Sequence, residues 1–74
     1  MSYAVYGKRR NWRNPTNGRW NEGDSRFAAL NGNGERVSRL ADALVFYEKE
    51  DAEAWIASHT WMPEATLEIR KVKD

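Results

Sequence analysis

Apolar residues at helical spacing mark one segment of the chain as an α-helix. Residues 48–59 read EKEDAEAWIASH, and their carboxylates crowd the first turns, where the helix dipole favours negative charge. The apolar positions fall at i, i+3, i+4 and i+7 and comprise Ala52, Trp55, Ile56 and His59. Pro63 prevents the helix from continuing much further. The pattern predicts a helix over 48–59 with one apolar face.

Four other segments have the content or alternation typical of strands. Residues 2–7 combine aromatic and β-branched side chains and end at a glycine. Residues 26–40 contain the double Asn-Gly signal NGNG between two short apolar runs, which predicts a hairpin. Residues 43–47 have higher strand than helix propensity. Residues 64–74 place Ala, Leu and Ile on one face and Thr, Glu and Arg on the other.

The segment between the first strand and the hairpin, residues 8–25, predicts a long basic loop. It contains the turn sequence NPTNG and several further Asn and Gly residues. The whole pattern predicts an α+β fold: a small antiparallel sheet of about four strands with one helix packed on one face. The opposite sheet face is then open to water or to a partner. A chain of 74 residues is expected to form a single domain, residues 1–74.

The amino-acid composition excludes several kinds of site and bears on the compartment in which the protein is expected. There is no cysteine, which excludes a disulfide framework, thiolate metal ligands and a cysteine nucleophile. No apolar run reaches the ~20 residues that a membrane-spanning helix needs. We therefore expect a monomeric cytoplasmic protein without a membrane partner or a cofactor.

The distribution of charge is strongly asymmetric. Residues 1–20 contain five cationic side chains and no carboxylate, so they carry +5. Residues 21–74 contain the other seven Lys and Arg and all eleven Asp and Glu, so they carry −4. A chain polarised in this way has a basic end that attracts anions.

The basic segment combines arginine, a planar donor for phosphate or carboxylate, with tryptophan, whose ring stacks on bases. We predict that its nucleic-acid-binding residues are Lys8, Arg9, Arg10, Trp12, Arg13 and Arg19. The structural alternative is that both tryptophans of the segment anchor it to the core and the arginines only solvate it. The absence of carboxylates favours binding, because a loop that serves solubility usually mixes both signs of charge.

Catalysis and metal binding receive little support from the sequence. The single histidine, His59, lies on the apolar helix face without an acid–base partner. The carboxylates at the helix start lack the glycine turn and alternating ligands of a calcium loop; they are Glu48, Glu50, Asp51 and Glu53. We predict no enzymatic activity and no metal site.

The N-terminal stretch MSYAVYGKRRNWRNP, the short single domain and the lack of cysteine resemble small transcription regulators of lytic Xanthomonas phages. The resemblance implies binding to host RNA polymerase at the N-terminal region of the β′ subunit, alongside the elongation factor NusA. It further implies inhibition of σ-dependent initiation and promotion of antitermination in the host cytoplasm. The basic residues are then expected to face nascent RNA or DNA. The protein contacts are expected at Tyr3, Val5, Tyr6 and Trp20.

Two other functions remain open at the level of the sequence. The acidic helix is the working surface if the protein is a nucleic-acid mimic that blocks a host defence complex. The basic segment is the working surface if the protein is a direct RNA or DNA binder of low specificity. Substitution of the carboxylates or of the arginines distinguishes the two.

Overall fold

The computed structural model describes residues 2–72, and its main sheet is built around one long central strand, β1 (Ser2–Arg9). Strand β6 (Ala65–Val72) pairs antiparallel with all of β1, from Ser2 opposite Val72 to Arg9 opposite Ala65. The other edge of β1 pairs with two short strands, β5 (Val45–Phe46) and β4 (Ala28–Ala29). The four-stranded antiparallel sheet and the single α-helix confirm the predicted α+β class.

The helix α1 (Lys49–Ser58) covers one face of this sheet. Its stripe of apolar residues is confirmed, because Ala52 is fully buried and packs with Val5 and Leu30. Half-buried apolar side chains surround this small core: Phe46, Trp55, Ile56, Trp61, Leu67 and Ile69. Large aromatic side chains at the rim supply the apolar area that a chain of this length would otherwise lack.

The helix ends at Ser58, and a cluster of rings covers its last turn. The Trp61 indole nitrogen donates a hydrogen bond to the Ile56 carbonyl at 2.9 Å, and Nδ1 of His59 lies 2.8 Å from the Trp55 carbonyl. Trp61 meets Trp55 edge-on with ring centroids 5.5 Å apart. Carbonyl groups that the helix leaves without partners are satisfied in this way. His59 therefore has a structural contact at the helix end.

The hairpin predicted within residues 26–40 is present in a short form. Leu30 forms a β-bridge with Arg36, and the Asn31 amide donates to the Glu35 carbonyl at 2.9 Å. Gly34 has φ of 79°, a conformation that favours glycine. A 3₁₀ turn, Leu40–Asp42, then leads into β5. Strand pairing in this region is shorter than the sequence pattern predicts, because β4 and β5 share the same edge of β1.

The prediction of a long loop over residues 8–25 is wrong. Strand β1 extends to Arg9, and the chain then forms a second hairpin from β2 (Trp12–Arg13) and β3 (Trp20–Asn21). The NPTNG turn closes it: the Gly18 amide donates to the Asn14 carbonyl at 2.8 Å, and Gly18 has φ of 70°. We call residues 10–22, which contain this hairpin, the arm.

The arm contributes to an elongated shape. The molecule measures 45 × 23 × 16 Å, with a radius of gyration of 13.5 Å. A compact domain of this length has a radius of gyration of about 11 Å. The arm continues from the end of β1 and forms its own two-stranded sheet, separate from the four-stranded one.

Candidate nucleic-acid interface

Cross-strand pairing in the arm places an arginine beside a tryptophan. Trp12 pairs with Asn21 and Arg13 pairs with Trp20. Directly opposite residues of a hairpin project from the same face, so Arg13 and Trp20 share one face and Trp12 lies on the other. The turn is held further by side chains, since Asn14 Oδ1 accepts from the Thr16 amide and Asn17 Oδ1 accepts from the Arg19 amide, both at 2.9 Å. The arm is thus an ordered platform.

The base of the arm is fastened by backbone contacts around Gly23. The Gly23 amide donates to Asn11 Oδ1 at 2.8 Å, and the Asp24 amide donates to the Arg9 carbonyl at 2.7 Å. The Arg9 amide in turn donates to Asp24 Oδ2 at 2.9 Å. The returning chain passes so close to residues 9 and 10 that a Cβ on Gly23 would lie 2.1 Å from the Arg9 carbonyl oxygen. Glycine is required here for the close approach of two backbones.

Among the residues that the structure describes, the cations of the basic segment have no carboxylate partners. The ion pairs between described residues are Arg36–Asp24, Arg39–Asp42 and Arg70–Glu68. Within residues 2–72, no carboxylate oxygen comes within 4.0 Å of a charged nitrogen of the segment's five cations, which are Lys8, Arg9, Arg10, Arg13 and Arg19. The segment therefore keeps its positive charge in the folded state, and that charge is available to an external anion.

The three arginines of the arm project into solvent. Arg10 is exposed, and its Nη2 donates to the Pro63 carbonyl at 3.1 Å. Arg13 is exposed, and its Nε donates to the Gly18 carbonyl at 3.2 Å. The Arg19 side chain is exposed and makes no hydrogen bond within the described part of the chain. These contacts use neutral carbonyls and leave most of each guanidinium free for phosphate.

Lys8 and Arg9 are held more closely than the arm residues. Lys8 is half-buried in the sheet, with its Nζ 5.8 Å from the centre of the Phe27 ring. The Arg9 guanidinium lies over the Trp12 ring at 4.7 Å, and Arg9 Nε is buried. Trp12 is half-buried beneath this arginine and thus anchors the base of the arm. The alternative stated above, that both tryptophans are anchors, therefore holds for Trp12.

Trp20 does not anchor the segment to the core. Its side chain is 72% exposed, which makes it one of the most exposed large apolar residues of the protein. Within residues 2–72 its ring makes no aromatic or cation contact. An exposed indole on an ordered hairpin is free to stack on another ring.

The expected protein contacts near the N-terminus need one correction. Val5 is only 1% exposed and lies in the core against Leu30 and Ala52, so it cannot contact a partner. Tyr3 and Tyr6 are half-buried on opposite faces of β1. Tyr6 faces away from Val5, and the Arg70 guanidinium lies 4.5 Å from the centre of its ring. The structure does not bring the expected contact residues together on one surface.

Sequence reasoning missed the cation–aromatic cluster on the sheet face opposite the helix. Arg70 lies over both Tyr6 and Phe27, at 4.5 and 5.3 Å, and Lys8 approaches Phe27 from the neighbouring strand. The signal was present in the alternation of β6, which places Arg70 on the polar face. The position of Phe27 next to it depends on a chain reversal that no periodicity reveals.

Charge is segregated along the molecule. Phe46 pairs with Tyr3 at the start of β1, and the carboxylates at the beginning of α1 follow within a few residues. The arm starts at the other end of β1, six residues and about 20 Å away. Glu48, Glu50, Asp51 and Glu53 are all exposed. The carboxylates at the start of α1 and the arginines of the arm therefore lie near opposite ends of β1.

The described residues contain no group of three or more His, Asp or Glu side chains placed to hold a metal ion. Over residues 2–72, no helix has both the length and the apolar content to cross a membrane. No protein-family model, no curated protein and no solved structure matches this chain.

Proposed function

We propose that the protein is a non-enzymatic binding domain whose arm holds single-stranded nucleic acid. The observation that carries the proposal is the pairing of Arg13 with Trp20 on an ordered hairpin, where the indole is exposed and the arginine has no carboxylate partner within residues 2–72. Single-strand binders use cations for the backbone and aromatic rings for the bases. Both groups stand side by side on this face of the arm.

A single strand suits the arm better than a duplex. Bases in a duplex are stacked on one another, so an exposed indole gains a stacking partner only where the bases are already splayed. Duplex reading by a helix in the major groove requires a helix whose surface tolerates phosphate. The first turn of α1 carries Glu50 and Asp51, and the helix has no basic residue in its last turn. The carboxylates of α1 therefore repel the helix from the phosphates that border the major groove of a duplex.

The expected affinity is dominated by salt-dependent phosphate contacts. If all five cations of the basic segment meet phosphates, log K falls against log salt with a slope of about −3.5 for a single strand. Binding is then sequence-tolerant, because every base presents a π-face to the indole. A protein with these properties binds nucleic acid without recognising its sequence.

Removal of the exposed indole tests the stacking part of this proposal. We expect Trp20→Ala to weaken binding of a fluorescently labelled single-stranded oligonucleotide by about 5-fold, the low end of ~1–3 kcal/mol per stacked base, because one ring serves one base. The salt slope stays unchanged, since no cation is removed. Titrations at several salt concentrations measure both quantities. Equal affinity of Trp20→Ala and the parent protein contradicts stacking at this position.

The narrower form of the proposal is a phage transcription regulator that acts on bacterial RNA polymerase. The resemblance of MSYAVYGKRRNWRNP suggests it, and the segregation of charge along the molecule supports it. In this form the end of the molecule opposite the arm docks on the β′ subunit, with NusA nearby, while the arm contacts the emerging RNA. The bound protein inhibits σ-dependent initiation and promotes antitermination.

A pull-down from bacterial lysate with tagged protein tests the narrower form. We expect recovery of RNA polymerase subunits that survives nuclease treatment, because docking uses protein surfaces. A variant with Glu50→Gln and Asp51→Gln serves as a comparison for the acidic end. Recovery of nucleic acid alone, lost after nuclease treatment, contradicts polymerase docking and leaves the direct binder. Recovery of a different protein complex, lost in the carboxylate variant, favours the blocker of a host defence complex.

A further inference from the structure

A groove of about 430 Å³ opens where the base of the arm meets the end of the helix. Its walls come from three separated parts of the chain: Arg9 at the end of β1, the turn at Asn33 and Gly34, and Trp61 and Met62 after α1. Leu30 and Leu67 form part of its lining. The volume falls within the range of about 300–1,000 Å³ that is typical of small-molecule sites.

The groove contains an arginine, Arg9, that forms no ion pair with any carboxylate of residues 2–72. Arg9 Nε is buried and makes no hydrogen bond, the one such side-chain atom in the described part of the chain. Asp24 also lines the groove, but its two oxygens accept from the Arg9 amide and from Arg36 Nη1, each at 2.9 Å. The carboxylate is therefore already used, and the Arg9 guanidinium keeps its donors for something else. Nε itself is enclosed by the protein, so the donors that an anion in the groove can meet are the Nη groups of Arg9.

One wall of the groove is apolar and aromatic, with Trp61 and Met62 beside Leu30 and Leu67. Trp61 is fixed in place by its hydrogen bond to the Ile56 carbonyl. Met62 is 48% exposed and follows it directly. Flat rings pack well against indoles, and the flexible thioether of methionine adapts to them. The groove thus offers a flat apolar wall beside the Arg9 guanidinium, which matches a ligand with a planar ring and an anionic group.

We propose that this groove binds one nucleotide, with the base against Trp61 and Met62 and the phosphate at Arg9. The groove adjoins the arm, because Arg9 begins the arm base and Arg10 donates to the carbonyl of Pro63, the neighbour of Met62. The groove is therefore contiguous with the arm. This continuity favours a nucleotide over a peptide carboxylate. The link to a strand rests on the proposed function of the arm, whereas the affinity of the groove for a mononucleotide does not.

Calorimetric titration with uridine monophosphate, uridine and inorganic phosphate tests the ligand class. We expect the monophosphate to bind at least about 10-fold more tightly than either part alone, because only it uses both the ring wall and the cation. Equal binding of phosphate and the monophosphate overturns the role of the apolar wall. Equal binding of uridine and the monophosphate overturns the role of Arg9. Tighter binding of a short peptide ending in phenylalanine overturns the nucleotide itself.

Charge substitution locates the site. We expect Met62→Glu to weaken uridine monophosphate binding by about 10-fold or more, since a carboxylate in the groove repels the phosphate. Tyr47→Glu makes the same change in charge at an 80% exposed residue that does not line the groove, and it should bind as the parent does. Arg9→Lys keeps the charge but removes the planar donor set, and a several-fold loss is expected. Equal affinity of the two glutamate variants overturns the location.

The same experiments distinguish failure of the proposed strand binding by the arm from failure of the proposed nucleotide binding in the groove. Oligonucleotide binding without mononucleotide binding keeps the arm and overturns the groove. Mononucleotide binding that Met62→Glu weakens, without oligonucleotide binding, keeps the groove and overturns the arm.

Discussion

Gly23→Ala is expected to lower the free energy of unfolding by about 2–4 kcal/mol, a large part of what a domain of this length has. An added Cβ meets backbone, not side chain: it would lie 2.1 Å from the Arg9 carbonyl oxygen and 2.5 Å from the Arg10 carbonyl carbon. Overpacking of this kind typically costs ~1–3 kcal/mol, and at least one hydrogen bond at the arm base, worth about 1 kcal/mol, is lost as the strands separate. Thermal unfolding measures the effect as a fall in Tm of about 10 °C or more.

Gly32→Ala is the matched control for this substitution. It makes the same chemical change at a glycine for which an added Cβ has no neighbour within 4 Å and whose φ is not positive. Its effect should stay within about 0.5 kcal/mol. If Gly23→Ala and Gly32→Ala unfold at the same temperature, the arm is not fastened to the sheet at residues 9–11 and 23–24. The arm would then be an independent appendage.

The sequence was sufficient to predict the elements whose apolar residues recur regularly along one buried face. The stripe from Ala52 to His59 predicts the helix because one side of it must leave water, and the structure places that side on the sheet. The last strand is predicted for the same reason, because Leu67 and Ile69 alternate with polar residues. Both elements have one apolar face and one polar face, which is the condition for periodicity to carry information.

The first strand shows where that condition fails. Residues 3–6 read YAVY, which is apolar at every position, so alternation cannot say which side chains face the helix. Val5 and Tyr6 were both expected at a protein contact, yet adjacent strand residues point to opposite faces, and Val5 is in the core. A central strand buried on much of both faces has this pattern.

The arm was recognised by its turn residues but not as a hairpin. Strands of two residues have no detectable period, and the pairing of Arg13 with Trp20 is set by the NPTNG turn rather than by burial. The burial of the Arg9 Nε atom escaped prediction for a different reason. It depends on Trp12 and on the returning chain at Gly23, which meet Arg9 only in the fold. The groove likewise joins residues near positions 9, 34 and 61, whose proximity no local pattern encodes.

The variant with Arg10→Gln, Arg13→Gln and Arg19→Gln is expected to bind a single-stranded oligonucleotide roughly 100-fold more weakly than the parent at about 0.1 M salt. Each lost phosphate contact removes about 0.7 from the slope of log K against log salt, so three contacts reduce a slope of about −3.5 to about −1.4 and remove about two decades at 0.1 M. Glutamine keeps the length and polarity of the side chain, and all three positions are exposed, so the fold should be retained. Filter binding between about 0.05 and 0.3 M salt gives both the affinity and the slope.

The control for this variant removes the same total charge elsewhere. Arg39→Gln, Lys49→Gln and Lys71→Gln change exposed residues outside the arm, and the net charge falls by three in both variants. General attraction between protein and strand weakens equally in the two, so only contacts made by the arm itself distinguish them. A control that loses as much affinity and slope as the arm variant means that net charge, and not the arm, governs binding. If the parent protein binds no oligonucleotide at about 0.05 M salt, the proposed nucleic-acid function is wrong, because electrostatic screening is weakest at the lowest salt concentration tested. The unpaired cations then serve only to solvate the hairpin.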